Sequence, residues 1–147
     1  MRFALLFLIL AILPLPAHAQ APLVFRDAVK DQRESAALKM LVSKGLFIEG
    51  LPYMVASVDL NDDGVAEWIF RQDRESGCEA NANCSYVIAG LSEGAPVVLG
   101  NLAARKIGIA DQKIYGVSRL YVYNKKDNDF VYSLYGWSPE NGSFQPL

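Results

Sequence analysis

The sequence contains little histidine, little cysteine and no long apolar run. It has one histidine and two cysteines in 147 residues. The longest apolar run, residues 3–13, follows Arg2 and precedes the small-residue motif Ala17-His18-Ala19, an order typical of a secretory signal peptide. Such a run is too short to cross a bilayer, which takes about 20 apolar residues. We therefore predict a signal peptide over residues 1–19 and a single exported globular domain over residues 20–147, periplasmic or secreted and without a transmembrane segment.

Loss of the predicted leader removes His18 and Arg2. A mature chain without histidine excludes Ser-His-Asp and Cys-His catalysis and His-ligated zinc. The formal net charge changes from −2 to −3 because one base is lost, and no basic cluster stands out, so no nucleic-acid partner is expected. The chain also lacks the nucleophile-elbow, phosphate-loop and dinucleotide-binding motifs. We therefore predict a protein that is not an enzyme and has no catalytic residues.

The two cysteines, Cys78 and Cys84, are separated by five residues. In an oxidising compartment a pair this close is predicted to form a disulfide. By chain-entropy models, a disulfide that closes so short a loop stabilises the fold by only about 2 kcal/mol. We therefore predict that it acts as a local crosslink. A catalytic dithiol is the alternative interpretation, although the spacing differs from C-x-x-C.

One helix and a series of strands are predicted along the mature chain. Apolar residues between 26 and 44 recur mostly at steps of three, four or seven, as in an amphipathic helix, and Gly45 after Lys44 marks its end. After Pro52, β-branched and aromatic residues predominate. They predict strands at 53–58, 67–71, 85–89, 96–99, 106–110, 118–124 and 130–135, with a short last segment at 143–145. We therefore predict an α+β fold, with an N-terminal amphipathic helix packed on an antiparallel β meander of about six or seven strands.

Oxygen-bearing side chains alternate between the first two predicted strands. Asp59, Asn61 and Asp63 hold the first, third and fifth positions of a loop, and Gly64 holds the sixth. Calcium takes about six to eight oxygen ligands, and glycine permits the sharp turn that would bring them together. The pattern predicts a structural calcium site with ligands from Asp59, Asn61, Asp63, the carbonyl of Val65 and Glu67.

This loop differs from an EF-hand because Phe70 stands at the twelfth position and the flanking segments are strand-like. An apolar residue followed by Asp-x-Asn-x-Asp-Gly, then Glu67 and Ile69, between two strands resembles the calcium loops of FG-GAP or integrin-alpha-type repeats. The chain also resembles small exported bacterial proteins with a single Asp-rich strand-loop-strand, over residues 53–147. The resemblance implies a β module with structural calcium, in which Glu67 closes the ion cage, and no shared enzymatic activity.

A hairpin without metal is the alternative, because Asn, Asp and Gly are the usual turn formers and Asp can accept hydrogen bonds from turn amides. Against it, Asp59, Asp63 and Glu67 would place like charges close together, where they repel without a cation.

The C-terminal part of the chain is rich in aromatic residues. If residues 125–128 form a four-residue hairpin loop, Tyr123 lies opposite Phe130 and Tyr121 lies opposite Tyr132. One face of the hairpin then carries Arg119, Tyr121, Tyr123, Phe130 and Tyr132. Two interpretations stay open: the face is core beneath the helix, or it is a platform for a protein or glycan partner.

Three functional hypotheses follow from these patterns. The first is a non-enzymatic exported binding or structural module with a calcium-supported loop. The second is a small envelope inhibitor or immunity-type protein that blocks an enzyme. The third, a small hydrolase that uses the loop carboxylates, is disfavoured because their turn context suits ion binding better.

Overall fold

The structure is a computed structural model that describes residues 22–72, 83–126 and 129–147. The predicted signal peptide lies outside these residues. The described part contains one α-helix, α1 (Gln32–Ser43), and eight strands: β1 (Tyr53–Val58), β2 (Glu67–Gln72), β3 (Cys84–Ser92), β4 (Ala95–Ala104), β5 (Lys106–Ile114), β6 (Val117–Lys126), β7 (Asp129–Ser138) and β8 (Ser143–Pro146). No helix in the described ranges is long and apolar enough to cross a membrane.

The strands form two antiparallel sheets of four strands each. The first sheet has the order β1-β2-β3-β4, and the second has the order β5-β6-β7-β8. The chain passes from one to the other at Arg105, which stands alone between β4 and β5. The predicted fold, an N-terminal helix packed on one meander of six or seven strands, is therefore wrong. The protein is mostly β, with two sheets and a short helix.

Both faces of the first sheet are apolar. Trp68 and Phe70 of β2 point to one side, where they pack with Ala37 and Leu41 of α1. Ile69 points to the other side and packs with residues of both sheets. A sheet that is apolar on both faces needs a cover on each. Here α1 covers one face and the second sheet covers the other.

The main core lies between the two sheets. The first sheet contributes β2 and β3 residues such as Ile69 and Ile88, both fully buried. The second sheet contributes Leu120 and Val122 of β6, also fully buried, and Phe144 of β8. This arrangement leaves the opposite, outer face of the second sheet directed away from the core.

The helix begins later than the sequence pattern predicts. Residues from 26 onward were expected to be helical, but the backbone of Arg26 pairs with Val55 of β1. The helix starts after Asp31, whose carboxylate accepts a hydrogen bond from the amide of Glu34 at 2.9 Å, as an N-cap does. Pairing with β1 therefore takes precedence over the helical periodicity of the first few residues.

Candidate calcium loop and aromatic face

The predicted calcium loop connects β1 to β2. Val58 pairs with Glu67 as the last rung of the β1–β2 ladder, so the loop comprises residues 59–66. Two of its residues have positive φ angles: Asp62 at 59° and Gly64 at 81°. Such angles favour glycine and, among other residues, Asp and Asn, which explains why this composition forms the tight connection.

The first three predicted ligands meet at the backbone of the loop. The carboxylate of Asp59 accepts hydrogen bonds from the amides of Asp63, at 3.2 Å, and Gly64, at 2.9 Å. The side-chain oxygen of Asn61 accepts from the same Asp63 amide at 3.1 Å, and its Nδ2 donates to Asp63 at 2.9 Å. Asp63 in turn accepts from the amide of Val65 at 2.7 Å. The structure thus brings Asp59, Asn61 and Asp63 together around one short stretch of backbone.

Glu67 stands at the inner side of this loop, at the start of β2. It is 9% exposed and accepts a hydrogen bond from the amide of Leu60 at 2.8 Å. Burial raises the pKa of the Glu67 carboxyl, the Leu60 hydrogen bond opposes this, and the charges of Asp63 and Asp59 raise the pKa further. These like charges act on Glu67 because all three acids share one region of the molecule.

Glu67 also lines a cavity of about 220 Å³ between the loop and both sheets. Its other lining residues are Leu60, Asn61, Leu91, Leu99, Val117, Trp137 and Phe144. The walls are therefore mostly apolar. The volume is below the roughly 300–1,000 Å³ of ordinary small-molecule sites, which favours a structural role for Glu67 over substrate binding.

The donor set suits a hard cation, although the loop is not arranged as a closed cage. Within residues 22–72, 83–126 and 129–147, no group of three or more His, Cys, Asp or Glu side chains is placed to hold a metal ion. Each carboxylate oxygen has two lone pairs, so the oxygens of Asp59 that accept amide hydrogens retain acceptor capacity. Val65 follows Gly64 with its side chain 41% exposed, and its carbonyl is the remaining predicted ligand.

Two contacts connect the loop to the second sheet, and neither could be predicted from the sequence. Lys113 of β5 forms an ion pair with Asp62, and the amide of Ser118 in β6 donates to the carbonyl of Leu60 at 2.7 Å. Both contacts join residues more than fifty positions apart, a separation over which side-chain periodicity carries no information. They fix the loop between the two sheets.

The aromatic hairpin forms with a register two residues from the predicted one. Tyr123 lies opposite Tyr132, and Lys125 lies opposite Phe130. Pairing continues to Lys126 and Asp129, so two residues connect the strands where four were predicted. Side chains alternate with a period of two, so a shift of two retains the same faces. The predicted face therefore exists, although its predicted pairs are wrong.

Three tyrosines form the centre of this face. The ring centroids of Tyr121, Tyr123 and Tyr132 are 6.0–6.4 Å apart, with interplanar angles of 37°, 42° and 65°. Tyr132 is 62% exposed and Phe130 is 68% exposed. The helix packs on the first sheet instead. Of the two interpretations left open by the sequence, the structure places the face outside the core.

Cys84 is the first residue of β3 and is buried. Its predicted partner Cys78 lies outside the described residues, so their disulfide stays a prediction.

Comparison of the chain with protein-family models, curated proteins and solved structures finds no match.

Proposed function

We propose that this protein is a non-enzymatic, exported binding module whose Asp59–Glu67 loop is supported by a structural calcium ion. The observation that carries the proposal is the convergence of the Asp59 and Asn61 oxygens on the Asp63 amide, with the Asp63 carboxylate accepting from Asn61, close to the buried carboxylate of Glu67. Asp59, Asn61, Asp63, Glu67 and the carbonyl of Val65 would hold the ion.

The physical argument is one of charge. Four carboxylates lie in or next to this loop, those of Asp59, Asp62, Asp63 and Glu67, and Glu67 has lost most of its contact with water. Lys113 compensates one charge, but it pairs with Asp62, outside the proposed ligand set. A divalent cation would offset the repulsion among the other three, which hydrogen bonds from neutral amides only reduce. Calcium suits this set because it accepts carboxylate, amide and backbone oxygens in flexible geometry.

The proposed binding surface for a partner is the outer face of the second sheet. Tyr121, Tyr123 and Tyr132 are in mutual contact there, and Phe130 and Tyr132 are mostly exposed. Adjacent exposed aromatic rings favour an interaction surface, because aromatic residues are enriched at the cores of protein interfaces. Together with the predicted signal peptide, this supports a partner in the periplasm or outside the cell.

The calcium part is tested by thermal unfolding of the exported protein in a calcium series and in excess chelator. Binding to the folded state alone stabilises by about 2.7 kcal/mol at a hundredfold excess over the dissociation constant. We expect calcium to raise the melting temperature, and Asp59→Ala to abolish the rise. Asp111→Ala, which removes an exposed acid of β5, is the matched control and should retain it. The same curve in calcium and chelator for the unmodified protein would contradict the proposal.

A second candidate is a small envelope inhibitor or immunity-type protein that blocks an enzyme. The same aromatic face, with Phe130 and Tyr132 exposed, favours it, because a rigid aromatic patch is able to occlude a partner's surface. It predicts that a stable complex with an envelope enzyme forms and lowers that enzyme's activity. Binding to a partner without any change in activity would leave only the first candidate.

A further inference from the structure

The outer face of the second sheet carries positive charge as well as aromatic rings. Lys106 of β5 lies directly opposite Tyr123, and Lys125 of β6 lies opposite Phe130. Directly opposed residues share a face of the sheet, and Arg119 lies on this face because it precedes Tyr121 by two. We call this surface the basic aromatic face: Lys106, Arg119, Tyr121, Tyr123, Lys125, Phe130 and Tyr132.

The three basic side chains have no acidic partner among the residues that the structure describes. Arg119 also has a buried Nε without a hydrogen-bond partner. At the paired positions of β5 to β8 that the structure describes, neither Asp nor Glu lies on this face. The exposed Asp111 lies in the unpaired stretch of β5 between Ile109 and Lys113 and forms no ion pair with a described residue. The charges are therefore available to a partner.

This local charge is opposite in sign to the charge of the whole chain. The formal net charge is −2, so the positive groups of the face are not a consequence of overall composition. Complementary potentials give specificity and fast association between proteins. A positively charged face on an acidic protein therefore favours a negatively charged occupant, and it disfavours pairing with the same face of a second copy.

The ring geometry favours a protein over a glycan. The three rings lie at 37–65° to one another and so form no flat stacking platform. Tilted tyrosines beside an arginine form an irregular surface of the kind that carries binding energy in protein interfaces, where Tyr and Arg are enriched. Resting on the function proposed above, we propose that the basic aromatic face binds an acidic surface of a partner protein.

In this complex Tyr123 and Tyr132 make the apolar centre, and Lys106, Arg119 and Lys125 pair with carboxylates around it. The probe for the test is a labelled random copolymer of glutamate and tyrosine, whose binding is followed by fluorescence anisotropy in calcium and in chelator. Polyglutamate, heparin and a neutral glucan oligosaccharide are the comparison ligands. We expect the copolymer to bind about tenfold more tightly than polyglutamate, because only the copolymer contacts the rings. Rising salt should weaken its binding.

The decisive variant is Lys106→Gln/Lys125→Gln, which leaves the half-buried Arg119 in place. It should weaken copolymer binding about tenfold. Lys30→Gln/Lys39→Gln removes two exposed charges on the helix side and should leave binding unchanged. Tyr132→Ala tests the apolar centre and should also weaken copolymer binding about tenfold. Equal unfolding temperatures for all variants would exclude misfolding as the cause.

Several outcomes would overturn the inference. The first is the absence of copolymer binding, or tighter binding of heparin or the glucan than of the copolymer. The second is equal affinity for the copolymer and for polyglutamate. The third is an equal loss of copolymer affinity in the Lys106/Lys125 and Lys30/Lys39 double variants. The two proposals fail separately. A calcium-dependent rise in melting temperature without copolymer binding contradicts only the basic aromatic face, whereas copolymer binding without that rise contradicts only the calcium loop.

Discussion

Arg26 and Glu34 form a two-point ion pair that fastens the segment before the helix to the helix itself. Nη1 of Arg26 donates to Oε2 of Glu34 at 2.9 Å, and Nη2 pairs with Oε1. The hydroxyl of Ser57 in β1 donates to the same Oε1 at 2.9 Å. Glu34 is 1% exposed, so one buried carboxylate joins the N-terminal segment, α1 and the edge strand of the first sheet.

This carboxylate predicts an acid-dependent loss of stability. Burial raises the pKa of Glu34, but hydrogen bonds from Arg26, the Lys30 amide and Ser57 outweigh it and leave the pKa below its ordinary value. A carboxyl with a lowered pKa in the folded state stabilises above its unfolded pKa, and that contribution is lost as the pH falls through the folded pKa. We therefore expect the free energy of unfolding to fall steeply in that acidic window.

The variant Glu34→Gln should remove this acid-dependent fall in the free energy of unfolding. Because Arg26 is partly exposed, we expect a loss below that of a fully buried broken pair, about 2–3 kcal/mol at neutral pH. Glu49→Gln, at an exposed position, is the control and should keep the acid dependence. Urea unfolding between pH 2 and 7 measures both quantities. A Glu34→Gln protein with the same acid profile as the unmodified protein would contradict this role.

Glu67→Gln should have opposite effects in calcium and in chelator. Without metal, glutamine removes a buried charge that Asp59 and Asp63 repel, and it can still accept the Leu60 hydrogen bond. The melting temperature in chelator should therefore be equal or higher. In calcium the variant loses a charged ligand, so its melting temperature should fall below that of the unmodified protein. Lower stability in chelator as well as in calcium would contradict this expectation, because it would show that the charged carboxylate stabilises the fold without metal.

Lys113→Gln should strengthen calcium binding. The ammonium group of Lys113 pairs with Asp62 beside the proposed ligands and therefore competes with a cation for the negative potential of the loop. Asp62 is largely exposed, and exposed pairs contribute less than about 1 kcal/mol, so we expect calcium to bind about threefold more tightly. Lys39→Gln on the helix should bind as before. Weaker binding in Lys113→Gln than in this control would contradict the competition.

The register of the aromatic hairpin can be measured by double-mutant cycles. Tyr123 and Tyr132 are directly opposed, with centroids 6.2 Å apart. Aromatic pairs of this kind are coupled by about 0.5–1.5 kcal/mol. We expect this coupling between Tyr123→Ala and Tyr132→Ala in unfolding free energy, and a smaller coupling between Tyr123→Ala and Phe130→Ala. The reverse order would support the four-residue loop that the sequence suggested.

Strand positions could be predicted from the sequence because they depend on local composition. β1 has the predicted bounds, and the other strands extend the predicted segments by one to several residues. Their division into two sheets could not be predicted in the same way. The continuous apolar sequence Trp68-Ile69-Phe70 is the available sign of a strand buried on both faces, but the predicted architecture, a helix packed on a single meander, provides no second sheet to cover the other face.

The contacts around the candidate sites were less predictable than the residues themselves. The alternating oxygens of Asp59, Asn61 and Asp63 were visible because a loop ligand pattern is local. The pairing of Arg26 with β1 and of Lys113 with Asp62 depends on how distant segments pack. Arg119 was predicted on the aromatic face, but the two lysines were not. Lys106 lies far in sequence from the hairpin and joins it only through β5, and Lys125 was placed in the predicted four-residue loop, whereas it pairs with Phe130.

The central claim, a calcium ion in the loop between β1 and β2, is tested most directly by isothermal titration calorimetry of the chelator-treated protein with calcium. The account predicts one bound ion per chain, no binding by Asp59→Ala, and unchanged binding by Asp111→Ala. No measurable calcium binding by the unmodified protein, or equal binding by Asp59→Ala, would contradict it.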